Sequence, residues 1–293
     1  MHKFNLEDLK KLYIPLPDSH KGQNGKLMVI GGSHLFHGAS LWALKVSSRI
    51  VDMVFYASTV ENNKLSEKLK GELYDFIYIP REKIGEYIDE ADCILIGPGL
   101  PRKEGQETGE EDTKELTERL LKNYPQKKWV IDGGSLQTID PSCIPQNAIL
   151  TPHHREFEKL FNFQFSIFNF QSMNKNINDQ IVKIVKEKSE KYRCTILLKG
   201  EADIVCDKDR CVQVEGGNAG MTKGGTGDVL AGLVAALYCK NDAFLAAAAG
   251  SYINKKAGES LYKRVGPYFN ASDLCDEIPR VMREDCGLSG NMR

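Results

Sequence analysis

The chain has 293 residues, 41% of them hydrophobic and 27% charged, with a formal net charge of −1. Such a composition supports a globular protein with a sizeable core, and near-neutrality excludes the overall basic field that recruits nucleic acid. No apolar run reaches the length of a membrane span, and Met1-His2-Lys3-Phe4-Asn5-Leu6-Glu7-Asp8 lacks a signal-peptide core, so a cytoplasmic protein is expected.

Residues 1–20 read as an N-terminal arm with a short helical piece near Leu6 and a break at Pro15 and Pro17. Lys26-Leu27-Met28-Val29-Ile30 is a nearly all-apolar run, as a strand buried on both faces requires, and it ends in Gly31-Gly32-Ser33. His37-Gly38-Ala39-Ser40 opens a helix, and Val51 to Ala57 forms the next strand. This strand, glycine loop, helix and strand make one unit of a parallel α/β sheet. Further strands are expected at Phe76–Ile79, Ala91–Ile96 (ending in Gly97-Pro98-Gly99), Lys128–Asp132, Ala148–Thr151 (ending in Pro152-His153-His154) and Thr195–Leu198 (ending in Lys199-Gly200). Between them lie a charged loop over 101–114, a helix at Leu116–Leu121, an aromatic stretch over 162–178 and a helix capped by Asp179. Ala202–Cys206 and Arg210–Val214 form a hairpin around a charged turn.

The stretch Gly216 to Asp228 is too rich in glycine for a helix or an ordinary strand, and Val229, Leu230, Leu233, Val234 and Leu237 follow it at helical spacing. A glycine loop running into a helix start presents free N–H groups and the positive end of a helix dipole, which suits phosphate. Asp228 reads as a dipole-stabilised helix-start carboxylate or as a group with chemistry beside the phosphate; the surrounding glycines and Lys223 favour chemistry. A second, alanine-rich helix from about Ala243 to Leu261 suits the core and a subunit contact equally. The absence of repeats and linkers predicts one domain over 1–293, and strand ends of an open parallel sheet form the ligand-binding rim.

The eight cysteines show no zinc-type spacing and are expected as free thiols, although Cys206 and Cys211 flank the hairpin turn and can face each other. The loop is not a Walker A motif, because Lys223 precedes the glycines, and no dinucleotide-fold Gly-x-Gly-x-x-Gly, His-Glu-x-x-His or Gly-x-Ser-x-Gly occurs. Lys199 reads equally as a solvated lysine or a phosphate contact. Asp132 reads as a helix cap in preference to a holder of magnesium-bound water.

Several motifs occur together in order from about residue 20 to 260. They are Lys21-Gly22-Gln23-Asn24-Gly25 with Val29 to Ser33 and His37-Gly38-Ala39; Gly97-Pro98-Gly99-Leu100; Leu150 to His153 with Glu156-Phe157; Leu198-Lys199-Gly200; and Asn218 to Thr222 leading to Gly225-Thr226-Gly227-Asp228. Together they resemble the ADP/ATP-dependent NAD(P)H-hydrate dehydratases, enzymes of metabolite repair. The resemblance implies a ribokinase-like, three-layer α/β/α fold with a mostly parallel central sheet. It implies a lyase that restores NADH or NADPH from forms hydroxylated at C6, by phosphorylating the hydroxyl and eliminating phosphate. Asp228 is then the base. Lys199, Gly200, Glu201, Ala202, Asp203, Asn218, Ala219, Gly220, Met221, Thr222, Lys223, Gly224, Gly225, Thr226 and Gly227 match the segments that bind ATP or ADP. Ala39, Gly99, His153, His154, Arg155, Glu156 and Asp228 match contacts to the hydrated dinucleotide. Magnesium is implied with the nucleotide, without assigned metal ligands; the implied partner is a separate NAD(P)H-hydrate epimerase, and a homo-oligomer is expected. The chain differs from the usual pattern at Ser40, Pro101 and Gly133-Gly134. A small-molecule kinase of the same fold and a non-catalytic nucleotide binder are the alternatives.

Overall fold

Short apolar runs become strands here because both faces of the sheet are covered. The computed structural model describes residues 2–60, 62, 64, 75–102, 112–164 and 175–286. Most of the charged loop expected over 101–114 and most of the aromatic stretch over 162–178 lie outside the described residues.

The strands are β1 (His2–Lys3), β2 (Lys26–Ile30), β3 (Met53–Ala57), β4 (Ile77–Tyr78), β5 (Cys93–Ile96), β6 (Lys128–Ile131), β7 (Ile149–Leu150), β8 (Thr195–Leu198), β9 (Asp203–Cys206) and β10 (Cys211–Val214). They form one ten-stranded sheet in the order β1-β10-β9-β8-β7-β6-β5-β2-β3-β4. Pairing is parallel except at β8–β9 and β9–β10, where the expected hairpin returns the chain. Side chains alternate across a strand, and the core divides accordingly. Leu27, Val29, Leu95, Val130 and Leu197 point to one layer, and Met28, Ile30, Ile96, Ile131 and Leu198 to the other.

The first layer holds α1 (His37–Ser47), and the second holds α2 (Ile84–Ile88), α3 (Thr113–Asn123), α4 (Gly133–Thr138), α5 (His154–Phe161) and α6 (Lys175–Tyr192). The chain then returns to the first layer with α7 (Thr226–Lys240), α8 (Ala243–Val265) and α9 (Ala271–Asp285). Every residue of α7 from Val229 to Cys239 is buried. A helix apolar on all sides belongs in the centre of a layer, and α7 is enclosed there by α1, α8 and the sheet. Its closest approach is at Gly232, where an added Cβ would lie 2.6 Å from the Ala43 carbonyl oxygen. At its other end Lys128 Nζ donates to the carbonyls of Tyr238, Cys239 and Asn241 at 2.9, 3.3 and 3.2 Å, satisfying groups the helix leaves open.

Three details differ from expectation, and one open alternative is decided. The N-terminal segment is not a detached arm: β1 adds a strand parallel to β10, and Leu9 and Leu12 enter the core. Asp179 lies inside α6, which begins at Lys175, and does not cap it. Of the two roles open to the alanine-rich helix, Ala246–Ala249 serve the intramolecular core. Cys206 and Cys211 are joined in a disulfide, not free, because they sit directly opposite each other on β9 and β10 with Cα atoms 4.2 Å apart. Among the described residues no helix is long and apolar enough to cross a membrane.

The fit at Gly232 gives a stability prediction. Gly232→Ala should cost about 1–3 kcal/mol through overpacking against α1, seen as a lower urea midpoint with an unchanged slope. Gly224→Ala, where an added Cβ meets nothing within 4 Å, should stay within about 0.5 kcal/mol of the parent.

Candidate active site

The parallel strands β8, β7, β6, β5 and β2 are consecutive in the sheet, so their carboxyl ends share one rim. Backbone bonds extend the ladder past the strands: Gly97 N to Ile30 O, Asp132 N to Ile96 O, Thr151 N to Ile131 O and Lys199 N to Pro152 O, at 2.8–3.2 Å. The glycine loops, Asp132, Thr151, His153 and Lys199 are therefore neighbours, as the strand-end pattern implies.

The glycine-rich stretch closes over this rim. Asn218 fixes its start: the side-chain oxygen accepts from Gly220 N at 2.9 Å and the amide donates to Gly258 O at 2.8 Å. Ala219–Thr222 then makes one 3-10 turn. Thr226 Oγ1 donates to the carbonyls of Met221 and Lys223 at 2.7 and 3.0 Å, drawing the loop onto the helix it precedes. Gly225 caps α7 at φ 95°, and an added Cβ would lie 2.5 Å from the Trp42 ring. Both the backbone angle and the indole demand glycine. No side chain caps the first turn of α7, which carries Asp228.

Asp228 does not behave as an ordinary helix-start carboxylate. Burial, followed by the charge of Asp132, pushes its pKa up from 3.8 to about 7 against the pull of Lys199. Lys199 is not a solvated lysine. Its Nζ lies 3.0 Å from Asp132 Oδ1 and 3.9 Å from Glu156 Oε2, and it sits 3.6 Å from where a Gly227 Cβ would be. Burial alone would lower its pKa; Asp132 and Glu156 outweigh that and raise it. Asp132 is not a cap either. It occupies the position before α4, but its side chain makes no capping bond. Oδ1 instead accepts from Thr151 Oγ1 at 2.7 Å and from Lys199. The partly buried ammonium outcompetes a backbone N–H for that carboxylate.

The other expected residues divide into those that face the rim and those that build it. Ala39 and Gly99 adjoin, an added Gly99 Cβ lying 3.1 Å from Ala39 Cβ. His153 caps α5: its Nδ1 accepts from Glu156 N at 3.2 Å, while Glu156 Oε2 accepts from His153 N at 2.9 Å. Glu156 Oε1 also accepts from Gln137 Nε2 at 3.1 Å. Burial lowers the pKa of both His153 and His154. His154 lies beside Gly200, and Arg155 is exposed. Asp203 is buried, with Oδ1 accepting from Gly200 N and Oδ2 from Ser251 Oγ, at 2.8 and 2.7 Å. Its carboxylate therefore anchors the 199–203 turn. Met221 packs against Gly258. Lys223 turns away from the loop, its Nζ donating to Pro267 O and to Phe269 O.

Two contributors, Lys255 and Trp42, escaped the sequence reading, and a third, Thr151, was read only as part of a strand end on the rim. Lys255 Nζ donates to the carbonyls of Gly200, Glu201 and Gly216 at 3.2, 2.9 and 3.4 Å, tying the 199–203 turn to the glycine loop. Thr151 holds Asp132. Trp42 walls the helix cap and is itself held by Ser272 at 3.1 Å. The one available signal was Lys255 itself, a lysine on the buried side of an alanine-rich helix.

A raised acid pKa in the folded state has a definite sign. The native state binds the proton more tightly than the unfolded chain, so Asp228 contributes stability below pH 3.8 that is lost as pH rises through about 7. Asp228→Asn should therefore raise the urea midpoint at pH 8 relative to the parent and leave it nearly unchanged near pH 3. A lower midpoint at pH 8 would contradict this environment.

The sequence and the fold have known counterparts. The family model described as NAD(P)H-hydrate dehydratase matches residues 27–280. The bifunctional NAD(P)H-hydrate repair enzyme of Methanocaldococcus jannaschii is 35% identical over 288 residues, covering 94% of this chain and 52% of that protein. The chain thus spans about half the length of that relative and of others like it. The ADP-dependent (S)-NAD(P)H-hydrate dehydratase of Nitrosopumilus maritimus is 31% identical over 292 residues, covering 94% of this chain and 95% of that one. Among solved structures, the ADP/ATP-dependent NAD(P)H-hydrate dehydratase of Bacillus subtilis, co-crystallised with ATP/Mg2+, superposes with a TM-score of 0.79 at 22% identity, covering 97% and 98% of the two chains. A ribokinase-like superfamily protein of Enterococcus faecalis gives 0.77 at 22% identity, covering 97% and 96%. The three-layer fold is therefore ribokinase-like, and the chain belongs to the NAD(P)H-hydrate dehydratase family.

Proposed function

We propose that this chain restores NADH or NADPH from the C6-hydroxylated form in a reaction driven by ATP or ADP. The observation that carries the reading is Asp228: a carboxylate with pKa about 7 in the first turn of α7. Near neutrality such a group is ionised often enough to accept a proton and basic enough to remove one. A carboxylate only repels a phosphate, so its place beside an anion site makes sense when a hydroxyl must be deprotonated there.

The steps follow from the residues present. Asp228 takes the C6 hydroxyl proton as that oxygen bonds to the terminal phosphorus and the bond from phosphorus to the nucleotide breaks. The N–H groups at the start of α7 and the Lys199 ammonium stabilise charge on the transferring group. The C6–O bond then breaks with the ring nitrogen supplying electrons, phosphate departs, and loss of the C5 proton completes the double bond. Ala39, Gly99 and His153 border the space for the nicotinamide; the 199–203 turn and the loop from Asn218 to Gly227 border that for the nucleotide.

Magnesium fits this rim as the companion of the nucleotide. Among the described residues no three His, Cys, Asp or Glu side chains form a cage for a metal, and magnesium commonly rides on phosphate oxygens and water. When bound it supplies charge neutralisation on the phosphates. The relative named as ADP-dependent supports ADP as the co-substrate. A cytoplasmic location and an epimerase acting on the other hydrate epimer complete the reading. A homo-oligomer would use exposed apolar residues such as Leu35, Phe36 and Tyr268.

Incubation with magnesium, hydrated NADH and either ADP or ATP should restore the absorbance of reduced nicotinamide and release phosphate. A stable phosphorylated product would mark a kinase instead, and nucleotide binding with neither outcome a non-catalytic binder. Asp228→Asn should lower kcat by roughly 10²–10⁴-fold while the nucleotide Kd changes little. Loss of nucleotide binding in that variant would sink the base assignment.

A further inference from the structure

Four charged side chains from four parts of the chain meet under the first turn of α7: Asp132 after β6, Glu156 in α5, Lys199 after β8 and Asp228 in α7. Three are acids and one is a base, so which acid holds the ammonium decides how the others behave. The ion pairs of Lys199 run to Asp132 at 3.0 Å and to Glu156 at 3.9 Å, and not to Asp228. Asp132 is fixed on every side that matters. Its backbone N–H donates to Ile96 O at 3.0 Å, Thr151 donates to the same Oδ1 that Lys199 reaches, and the residue is 3% exposed. A carboxylate at a capping position that makes no cap bond has been drawn to another task.

We propose that Asp132 is a positioning residue: buttressed by Thr151, it holds the Lys199 ammonium beside the anion site and away from Asp228, leaving Asp228 free to take a proton. This rests on the dehydratase reading for its catalytic consequence, though not for its electrostatics. Buried charges require partners. Without the charge of Asp132, Lys199 must turn to a remaining acid. Glu156, 3.9 Å from the ammonium and also holding His153 N and Gln137, offers only part of what Asp132 gave, so Asp228 shares the ammonium. That new pair, and the loss of repulsion from Asp132, both make Asp228 more acidic. Removing Lys199 does the reverse, because three acids are then left with no cation. The charged groups facing Asp228 are Asp132, Glu156 and Lys199; His153 Nε2 lies 3.5 Å from Glu156 Oε1, and His153 also feels the charge of Arg102.

The two substitutions should therefore move one titration in opposite directions. The decisive measurement is a carboxyl-carbon NMR titration of Asp228 in the ligand-free protein, beside the pH dependence of kcat for hydrated NADH with ADP and magnesium. In Asp132→Asn the Asp228 midpoint and the acidic limb of kcat should move to lower pH, with kcat at pH 7 falling about tenfold or more. In Lys199→Met both should move to higher pH. Thr151→Val, which loosens Asp132 without removing its charge, should shift the midpoint in the same direction as Asp132→Asn by a smaller amount, and it serves if Asp132→Asn does not fold. An unmoved midpoint in Asp132→Asn and Thr151→Val, or movement in the same direction as Lys199→Met, overturns the proposal. Opposed midpoints in a protein that restores no NADH leave the proposal standing and refute the dehydratase reading.

Discussion

The site depends on the close approach of α7 to α1. A helix buried on every side has nowhere to relax, so its axis is held by close contacts such as the Gly232 backbone against the Ala43 carbonyl. Buried helix ends must also satisfy their open polar groups. Lys128 does this at the carboxyl end, reaching across from β6 to three carbonyls. The amino end has no side-chain cap, only Gly225 in the left-handed region. That asymmetry is what an anion site requires: one end of the helix is closed by protein and the other is kept open for a ligand.

Placing an acid at the open end has a thermodynamic cost. Desolvation and the neighbouring Asp132 work against the charged form of Asp228, and the Lys199 ammonium is bonded to Asp132. A rim built for stability alone would pair Lys199 with Asp228 directly. The observed arrangement keeps a carboxylate underpaired, as pKa tuning for proton transfer demands. The surrounding layer is correspondingly firm: Lys255, Ser251 and Asp203 tie down the turn that follows Lys199, and Lys223 fastens the loop before α7 to the segment that leads into α9.

Much of the architecture was legible in the sequence because it follows from local rules. All-apolar runs ending in glycine or proline specify parallel strands covered on both faces, and Leu27 to Ile30 or Cys93 to Ile96 leave little choice. The glycine loop and the helix after it were legible for the same reason. What escaped was the pairing of polar groups distant in sequence. Asp132 has the local look of a cap, and nothing nearby shows that Lys199 will claim it. Lys223 lies in a segment that the resemblance matches to nucleotide binding, yet its partners are carbonyls beyond α8. The final helix, α9, carries a proline at position 279, which obscures its pattern, and α4 begins with two glycines. The cross-strand disulfide was visible only as a possibility, since register decides whether two cysteines face each other.

The short strand at the start of the chain has a kinetic consequence. His2 and Lys3 pair with Val212 and Gln213, and the Lys3 ammonium meets Glu215, 212 positions away in sequence. Contacts of such separation close late, because the loop entropy must be spent before they form. His2 and Lys3 can pair only after β10 has been made, so the edge of the sheet beside β10 closes late in folding.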